Sequence, residues 1–237
     1  MRVAIVGGTG ELGFGLALYL SQCGERVVIG SRAEERGAEA ADRANGTLGE
    51  AGIESSTVLG MENTQAVTEA DVVFVTVPFA GQADIYRSIK DHVPEDAVVC
   101  DTTTPLATAV GGRPWQVLRP WQGSAAEQAK GLLRKGIRLV SGFHTVSADM
   151  LQDLTVNPEG DVLLCGDDAP AKELIGGLVE RIPGLRWVDC GGLSMARILE
   201  PLTAVLVSVN RRYGLRESGV RLAGREAWGA PPGRAED

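Results

Sequence analysis

Short apolar runs recur along the chain, each separated from the next by an amphipathic stretch. The first, Val3-Ala4-Ile5-Val6, stops at a glycine cluster, after which Leu12, Leu16, Ala17 and Leu20 recur on one helical face. A second run, Arg26-Val27-Val28-Ile29-Gly30, follows the turn at Cys23-Gly24, and an Ala-, Glu- and Arg-rich helix is expected over 33–44. Residues 45–52 read as a Gly-rich loop, 57–59 as a short strand, and Asn63 as the cap of a short helix reaching Ala70. The run Asp71-Val72-Val73-Phe74-Val75-Thr76-Val77 is almost continuously apolar, as strands buried on both faces of a parallel sheet are, and it stops at Pro78. A helix over 81–91, a strand over 97–101, a helix over 124–135 and a strand over 137–141 continue the alternation. Ser124 is placed as the N-cap of that second helix, with Glu127 completing a capping box. Beyond lie a strand over 161–165, a helix over 170–182, a strand over 185–189 and a long helical region over 193–222.

This order predicts an α/β fold of the Rossmann type, a doubly wound, mostly parallel sheet with a small C-terminal α/β domain. The boundaries are placed at 1–143 for the nucleotide-binding domain and 144–223 for the small domain. The remainder, 224–237, is rich in Gly, Ala, Pro and charge, has only Trp228 as an anchor, and is expected to be a disordered tail.

The first strand runs into Gly8-Thr9-Gly10-Glu11-Leu12-Gly13, a G-x-G-x-x-G spacing between strand and helix. In that context Gly8 permits a sharp turn, Gly10 lets backbone approach a pyrophosphate, and Gly13 lets helix pack on strand. The residues just past the second strand should meet the ribose of a bound dinucleotide. An acidic residue there suits the free hydroxyls of NAD, but this chain offers Ser31, Arg32 and, one turn on, Arg36. A hydroxyl and two guanidinium groups suit a 2′-phosphate, which predicts NADP(H) as the cofactor. The plainer account is a pair of solvated arginines opening a polar helix beside Glu34 and Glu35.

In open α/β sheets ligands lie beyond the carboxyl ends of strands, so the stretch from Thr76 to Gly81 and the segment Gly142 to Ala148 should line the cleft. His144 is the titratable group of the second segment that invites an acid role; a packed structural histidine is the alternative. The loop 102–123 is long for a compact domain. Its Trp115 and Trp121 are expected to pin it to the core rather than wall a planar substrate. Tyr86 and Lys90 have the spacing of a short-chain dehydrogenase pair, but Lys90 falls in the last helical turn, away from the strand ends, so no catalytic role is expected for them. Asp167-Asp168, just before Pro170, read as a helix start and not as a metal pair.

Composition narrows the partners. A formal net charge of -8 argues against nucleic acid and anionic membranes, and no apolar run approaches the ~18 residues of a membrane span. Four scattered cysteines, no C-x-x-C pair and no secretory pattern at the start point to the cytoplasm. His92 and His144 are the only histidines, and no metal site is expected.

Together the motifs resemble the NADPH-dependent reductases of the deazaflavin coenzyme F420. The resemblance runs from Met1 to about Gly224. It rests on Met1-Arg2-Val3-Ala4 leading into the glycine cluster, Gly30-Ser31-Arg32, Gly60-Met61-x-Asn63, Thr76-Val77-Pro78 and Ser124-Ala125-Ala126-Glu127. Phe143-His144-Thr145-Val146, Cys165-Gly166-Asp167-Asp168 and Gly219-Val220-Arg221-Leu222 complete it. It implies hydride transfer between NADP(H) and coenzyme F420, with both rings stacked in one cleft. It implies that Thr9, Gly10, Glu11 and Leu12 hold the pyrophosphate and that Ser31, Arg32 and Arg36 take the 2′-phosphate. Val77, Gly81, Thr104 and Ala148 would line the nicotinamide side; His144, Thr145, Val146, Ser147 and Leu206 would form the deazaflavin pocket. Ser147 and Phe79 replace a proline and a tryptophan of an archaeal member, departures that bear on pocket shape.

Such chemistry needs proximity and orientation more than an acid–base pair, so no obligatory catalytic residue is expected beyond a contribution from His144. Backbone N–H groups near Val146 to Ala148 would ease charge on the accepting ring. Arg211 and Arg212 are candidates for an anionic coenzyme tail, a solvated helix face being the plainer account. The apolar positions Leu199, Leu202, Val205, Leu206 and Val209 predict a helix-mediated homodimer. Two rival readings remain at this point: an NADP-dependent reductase of an imine or other biosynthetic intermediate on the same scaffold, and a non-catalytic NADP(H) sensor.

Overall fold

The computed structural model describes residues 1–53, 57–224 and 228–229. Six parallel strands form the central sheet: β1 (Arg2–Val6), β2 (Arg26–Ser31), β3 (Leu59–Glu62), β4 (Val72–Val75), β5 (Val98–Asp101) and β6 (Arg138–Ser141). Their spatial order is β3-β2-β1-β4-β5-β6, the order of dinucleotide-binding sheets, with its reversal between β1 and β4. Val3 pairs with Val27 on one side and Val72 on the other, so β1 is hydrogen-bonded along both edges.

Alternation along each strand divides the core in two. Val3 and Ile5 face Leu16, Leu20 and Leu48, contributed by α1 (Glu11–Gln22) and α2 (Glu34–Glu50). Ala4 and Val6 face the other layer, with Tyr86 and Ile89 of α4 (Phe79–Ile89) and Ala126 and Ala129 of α5 (Ala125–Leu132). Such two-sided burial is why the strands read as apolar runs.

The C-terminal part adds β7 (Gly160–Leu164), α6 (Ala169–Glu180) and β8 (Leu185–Asp189), with β7 and β8 parallel to each other. Ser141 and Cys165 exchange backbone hydrogen bonds of 2.8 and 3.0 Å in antiparallel sense, which fastens β7 to the end of β6. Side chains of this part, among them Ile175, Leu178 and Trp187, enter the same core layer as α1 and α2. The expected helix start at Asp167-Asp168 is present: Asp168 caps α6 by accepting from Ala171 N at 2.8 Å, and Asp167 accepts from Leu193 N at 2.8 Å.

Several boundaries differ from the sequence reading. Helix α2 continues through the expected loop to Glu50, because Gly46 and Gly49 face open space while Leu48 is buried. Asn45 anchors it there, its carboxamide exchanging hydrogen bonds of 2.8 and 2.9 Å with the backbone of Val58. The third strand lies at Leu59–Glu62, not at 57–59. Helix α3 (Asn63–Val67) is capped by Glu62, whose carboxylate accepts from Thr64 N at 2.8 Å, and Asn63 is buried instead.

The long C-terminal helix is broken. A 3-10 turn at Leu193–Met195 leads into α7 (Ala196–Leu199), Pro201 intervenes, and α8 (Leu202–Tyr213) ends at Gly214, whose φ of +67° belongs to a left-handed C-cap. By length and composition Leu193–Tyr213 is apolar enough to cross a membrane, at a mean hydropathy of 1.2, contrary to the sequence expectation that no stretch comes close. Polar contacts tie it to the sheet body. The buried Glu200 accepts from Ala125 N and Ala126 N at 2.9 Å each, at the start of α5, and Arg197 forks onto Glu127 at 2.6 and 2.8 Å. Glu127 is therefore engaged by Arg197, while Ser124 Oγ caps α5 by accepting from Glu127 N at 3.0 Å.

Of the expected disordered tail, 225–227 and 230–237 lie outside the described residues. Trp228 packs against the core and Gly229 N donates to Trp187 O at 3.1 Å.

Candidate active site

The sheet order reverses between β1 and β4, and a cleft of about 400 Å³ opens there beyond the strand ends. Of the predicted residues, Thr9, Gly10, Ser31, Arg32, Arg36, Val77 and Gly81 line it. The glycine roles are distributed differently from the motif reading. The sharp turn belongs to Gly7, with φ +75°, and not to Gly8. A Cβ on Gly8 would lie 2.8 Å from Ile5 O, and one on Gly13 would lie 2.4 Å from Thr76 Oγ1 and 2.7 Å from Gly8 Cα. Gly8 and Gly13 are thus buried behind the turn and let α1 start close against the sheet; Leu12 is half-buried and packs on the core.

Helix α1 begins at Glu11 without a side-chain cap, its first helical bond running from Phe14 N to Gly10 O. The N–H groups of its first turn are therefore offered at the cleft floor, which suits an anion. Ser31 is buried at the end of β2, whereas Arg32 and Arg36 are exposed beside the cleft, and neither forms an ion pair among the described residues. Both guanidinium groups are thus solvated, and neither is taken up by Glu34 or Glu35 among the described residues.

A second hollow of about 210 Å³ is lined by Glu11, His144, Val146, Ser147, Ala148 and Leu206 among the predicted residues. Gly10 lines the cleft and the next residue, Glu11, lines the hollow, so the two spaces lie on either side of the start of α1. Thr145 is buried just behind, donating from Oγ1 to Asp161 O at 3.0 Å. Thr104 lines neither space; its hydroxyl is 3.0 Å from that of Thr203, which in turn donates to His144 O at 2.8 Å.

Phe143, the one non-glycine residue with positive φ among those described, turns the chain at the end of β6. Its φ of +66° is held by burial and by an edge-on contact of its ring with Phe74, centroids 5.5 Å apart. The turn delivers His144 into the hollow. Burial lowers the His144 pKa to about 4, only partly opposed by the Thr103 backbone, and neither ring nitrogen makes a hydrogen bond of good geometry. Its imidazole is neutral at physiological pH, which argues against proton donation from an imidazolium.

A group neutral in the folded chain at pH values where the unfolded chain protonates it costs stability as acid is added. With a folded value near 4 against 6.5 unfolded, that loss falls between pH 6.5 and 4. It amounts to roughly 3 kcal/mol. Urea unfolding of His144→Gln across this window should show that part of the acid slope removed, and turnover of the unaltered enzyme should carry no ionisation near 6.5 from this residue.

Sequence reasoning missed Asn63 and Asp84 in the cleft, and Thr203, Asn210, Arg216 and Ser218 in the hollow. Asn63 carried a signal, standing in a resembling motif, but its reading as a helix cap hid it. The others depend on how α8 and the chain after it return to the sheet. Tyr86 is fully buried and donates to Asp101 at 2.7 Å, which gives it a structural role. Burial raises Asp101 to about 6, and hydrogen bonds from Tyr86, Gln82 and Thr103 oppose the rise. Of the loop tryptophans, Trp115 lies 4.2 Å beneath the Arg211 guanidinium and helps pin the loop, whereas Trp121 is 99% exposed and pins nothing. No cluster of metal-ligating side chains is present among the described residues.

Residues 2–105 match the family described as NADP oxidoreductase, coenzyme F420-dependent. The chain is 37% identical over 226 residues to the F420-dependent NADP reductase of Methanocaldococcus jannaschii, covering 95% of this chain and all of that one. The chain belongs to this family. The F420-dependent NADP reductase of Methanothermobacter thermautotrophicus is 39% identical over 223 residues, 94% of either chain. A crystal structure of a putative F420-dependent NADP reductase from Arthrobacter sp. FB24 shares the fold, with a TM-score of 0.78 at 21% identity, over 94% of this chain and all of that one.

Proposed function

We propose that the protein transfers a hydride between NADP(H) and the deazaflavin coenzyme F420, in the manner its family name describes. The observation that carries this is the adjacency of the two spaces. A cleft equipped with Ser31, Arg32 and Arg36 for a 2′-phosphate lies beside a second hollow, Gly10 lining the one and Glu11 the other. Two planar rings placed in these spaces would approach each other at the start of α1, and hydride transfer between heterocycles depends chiefly on such placement.

The N–H groups of Thr9, Glu11 and Leu12 would hold the pyrophosphate, Gly10 N donating instead to Gly7 O at 3.0 Å so that Gly10 serves by close backbone approach, with Gly8 and Gly13 supplying the close packing beneath. Val77 and Gly81 border the cleft where the nicotinamide would lie. Thr104 acts through Thr203, and Ala148 lies on the hollow side. His144, Val146, Ser147 and Leu206 would surround the deazaflavin, with Thr145 fixing the segment from behind. Bound NADPH supplies the hydride; the chain's part is to bind, to orient and to keep the neutral His144 in the wall. In this reading residues 1–143 are the NADP-binding domain, and 144–223 complete the pocket for the second ring.

Mixing the protein with NADPH and coenzyme F420 should bleach the deazaflavin absorbance. No loss at micromolar enzyme would sink the reading, and NADPH oxidation with some other acceptor instead would favour an imine-type reductase.

The helical arm leaves apolar side chains outward, with Ile198 60% and Val205 56% exposed and Leu202 and Val209 half-buried; of the other predicted positions, Leu199 is buried in the core and Leu206 lines the hollow. We assign this face to a second copy of the chain. Val205→Glu should lower the mass seen by light scattering from dimer to monomer; an unchanged mass would remove the helix from the interface. Four free cysteines suit a reducing compartment such as the cytoplasm.

A further inference from the structure

After α8 the chain does not continue as a helix but doubles back along the second hollow. Gly214 reverses it, and Leu215 N donates to Asn210 O at 2.9 Å. Ser147 Oγ then donates to Arg216 O at 3.2 Å, and Ser218 N to Asn210 Oδ1 at 3.2 Å. Farther on, Asp161 N donates to Val220 O at 2.8 Å, and the buried Asp161 carboxylate accepts from Leu222 N and from Arg186. The backbone of Arg216 is thus held by its neighbours on both sides.

Arg216 is the one Lys or Arg side chain lining this hollow, its backbone held and its side chain exposed. Glu11 and Asp149 line the same space, yet Arg216 forms no ion pair with either among the described residues. Arg211, a candidate from the sequence for an anionic tail, is instead stacked on Trp115.

We propose that Arg216 receives the anionic side chain of the deazaflavin substrate at the edge of the second hollow, an assignment that rests on the function proposed above. The charge gives the acidic substituent a favourable destination on a held stretch of backbone, while the carboxylates of Glu11 and Asp149 disfavour its placement against them. Ser147 becomes a positioning residue for this contact, since its hydroxyl holds the Arg216 carbonyl.

The test compares two acceptors with the full enzyme: coenzyme F420, and the neutral deazaflavin alcohol that lacks the acidic substituent. Arg216→Ala should raise the KM for F420 about fivefold, with kcat within about twofold and the KM for the neutral acceptor unchanged. Arg216→Lys should recover part of that loss, and the rise of the F420 KM with salt should flatten in the alanine variant. Equal changes for both acceptors, or none for either, would overturn the assignment while leaving the function standing. Failure of the unaltered enzyme to reduce either deazaflavin would overturn both.

Discussion

Arg32→Ala is expected to raise the Michaelis constant for NADPH by about two orders of magnitude while changing that for NADH by no more than about threefold. The guanidinium is exposed at the end of β2, beside the cleft, and has no carboxylate partner among the described residues. It is free to donate to a phosphate, and a charge-assisted, often bidentate bond of that kind is worth more than a neutral one. A dinucleotide without the 2′-phosphate makes no such bond and should not notice the loss. Arg36, one helical turn farther on, should give the same pattern at smaller size. Steady-state kinetics with both dinucleotides decides it: parallel increases for NADPH and NADH would mean that Arg32 shapes the cleft and does not read the phosphate.

The second large effect comes from adding one carbon. Gly13→Ala places a Cβ 2.4 Å from Thr76 Oγ1 and 2.7 Å from the Cα of Gly8. Thr76 can rotate only by giving up its hydrogen bond to Val6 O at 3.0 Å, and the backbone of Gly8 has nowhere to go, since it lies against Ile5. Helix α1 must therefore move off the sheet, taking with it the N–H groups that open onto the cleft. A shift of that kind should cost about a hundredfold in kcat/KM. Overpacking of this severity should also cost about 3 kcal/mol of stability and lower Tm by roughly 10 °C. Gly46→Ala is the matched control, because open space surrounds it; it should leave both readings where they were or improve stability slightly. A Gly13→Ala protein with unaltered Tm and kinetics would refute the packing argument.

These two residues also mark what can be read from a chain of letters. The strand–turn–helix of the first half was legible because its strands are buried on both faces and announce themselves as apolar runs, and because Arg32 follows directly on one. The second half resisted. α2 runs on through Gly46 and Gly49 because a buried Leu48 and the Asn45 clamp outweigh two poor helix formers, and pattern alone does not show a clamp. The long C-terminal helix stops early because Gly214 takes a left-handed conformation that its neighbours do not dictate. The positive φ at Phe143, the pairing of Thr104 with Thr203, and the placement of Arg216 all depend on residues far apart in sequence. The motif led to Gly8 as the turning residue; the turn falls one position earlier because Gly8 is needed for close approach to Ile5 O.

Glu200 carries a consequence for the order in which the chain assembles. Helix α5 has eight residues, too few to stand alone, and the carboxylate that receives its first two N–H groups lies 74 and 75 positions downstream. On the ribosome, the six-stranded sheet can therefore be complete while α5 is closed by Ser124 only. Its amides at Ala125 and Ala126 would exchange with solvent until the helical arm is synthesised and docks. Protection of those two amides from exchange thus reports, from within the nucleotide-binding half, that the half carrying the second ring's pocket has arrived.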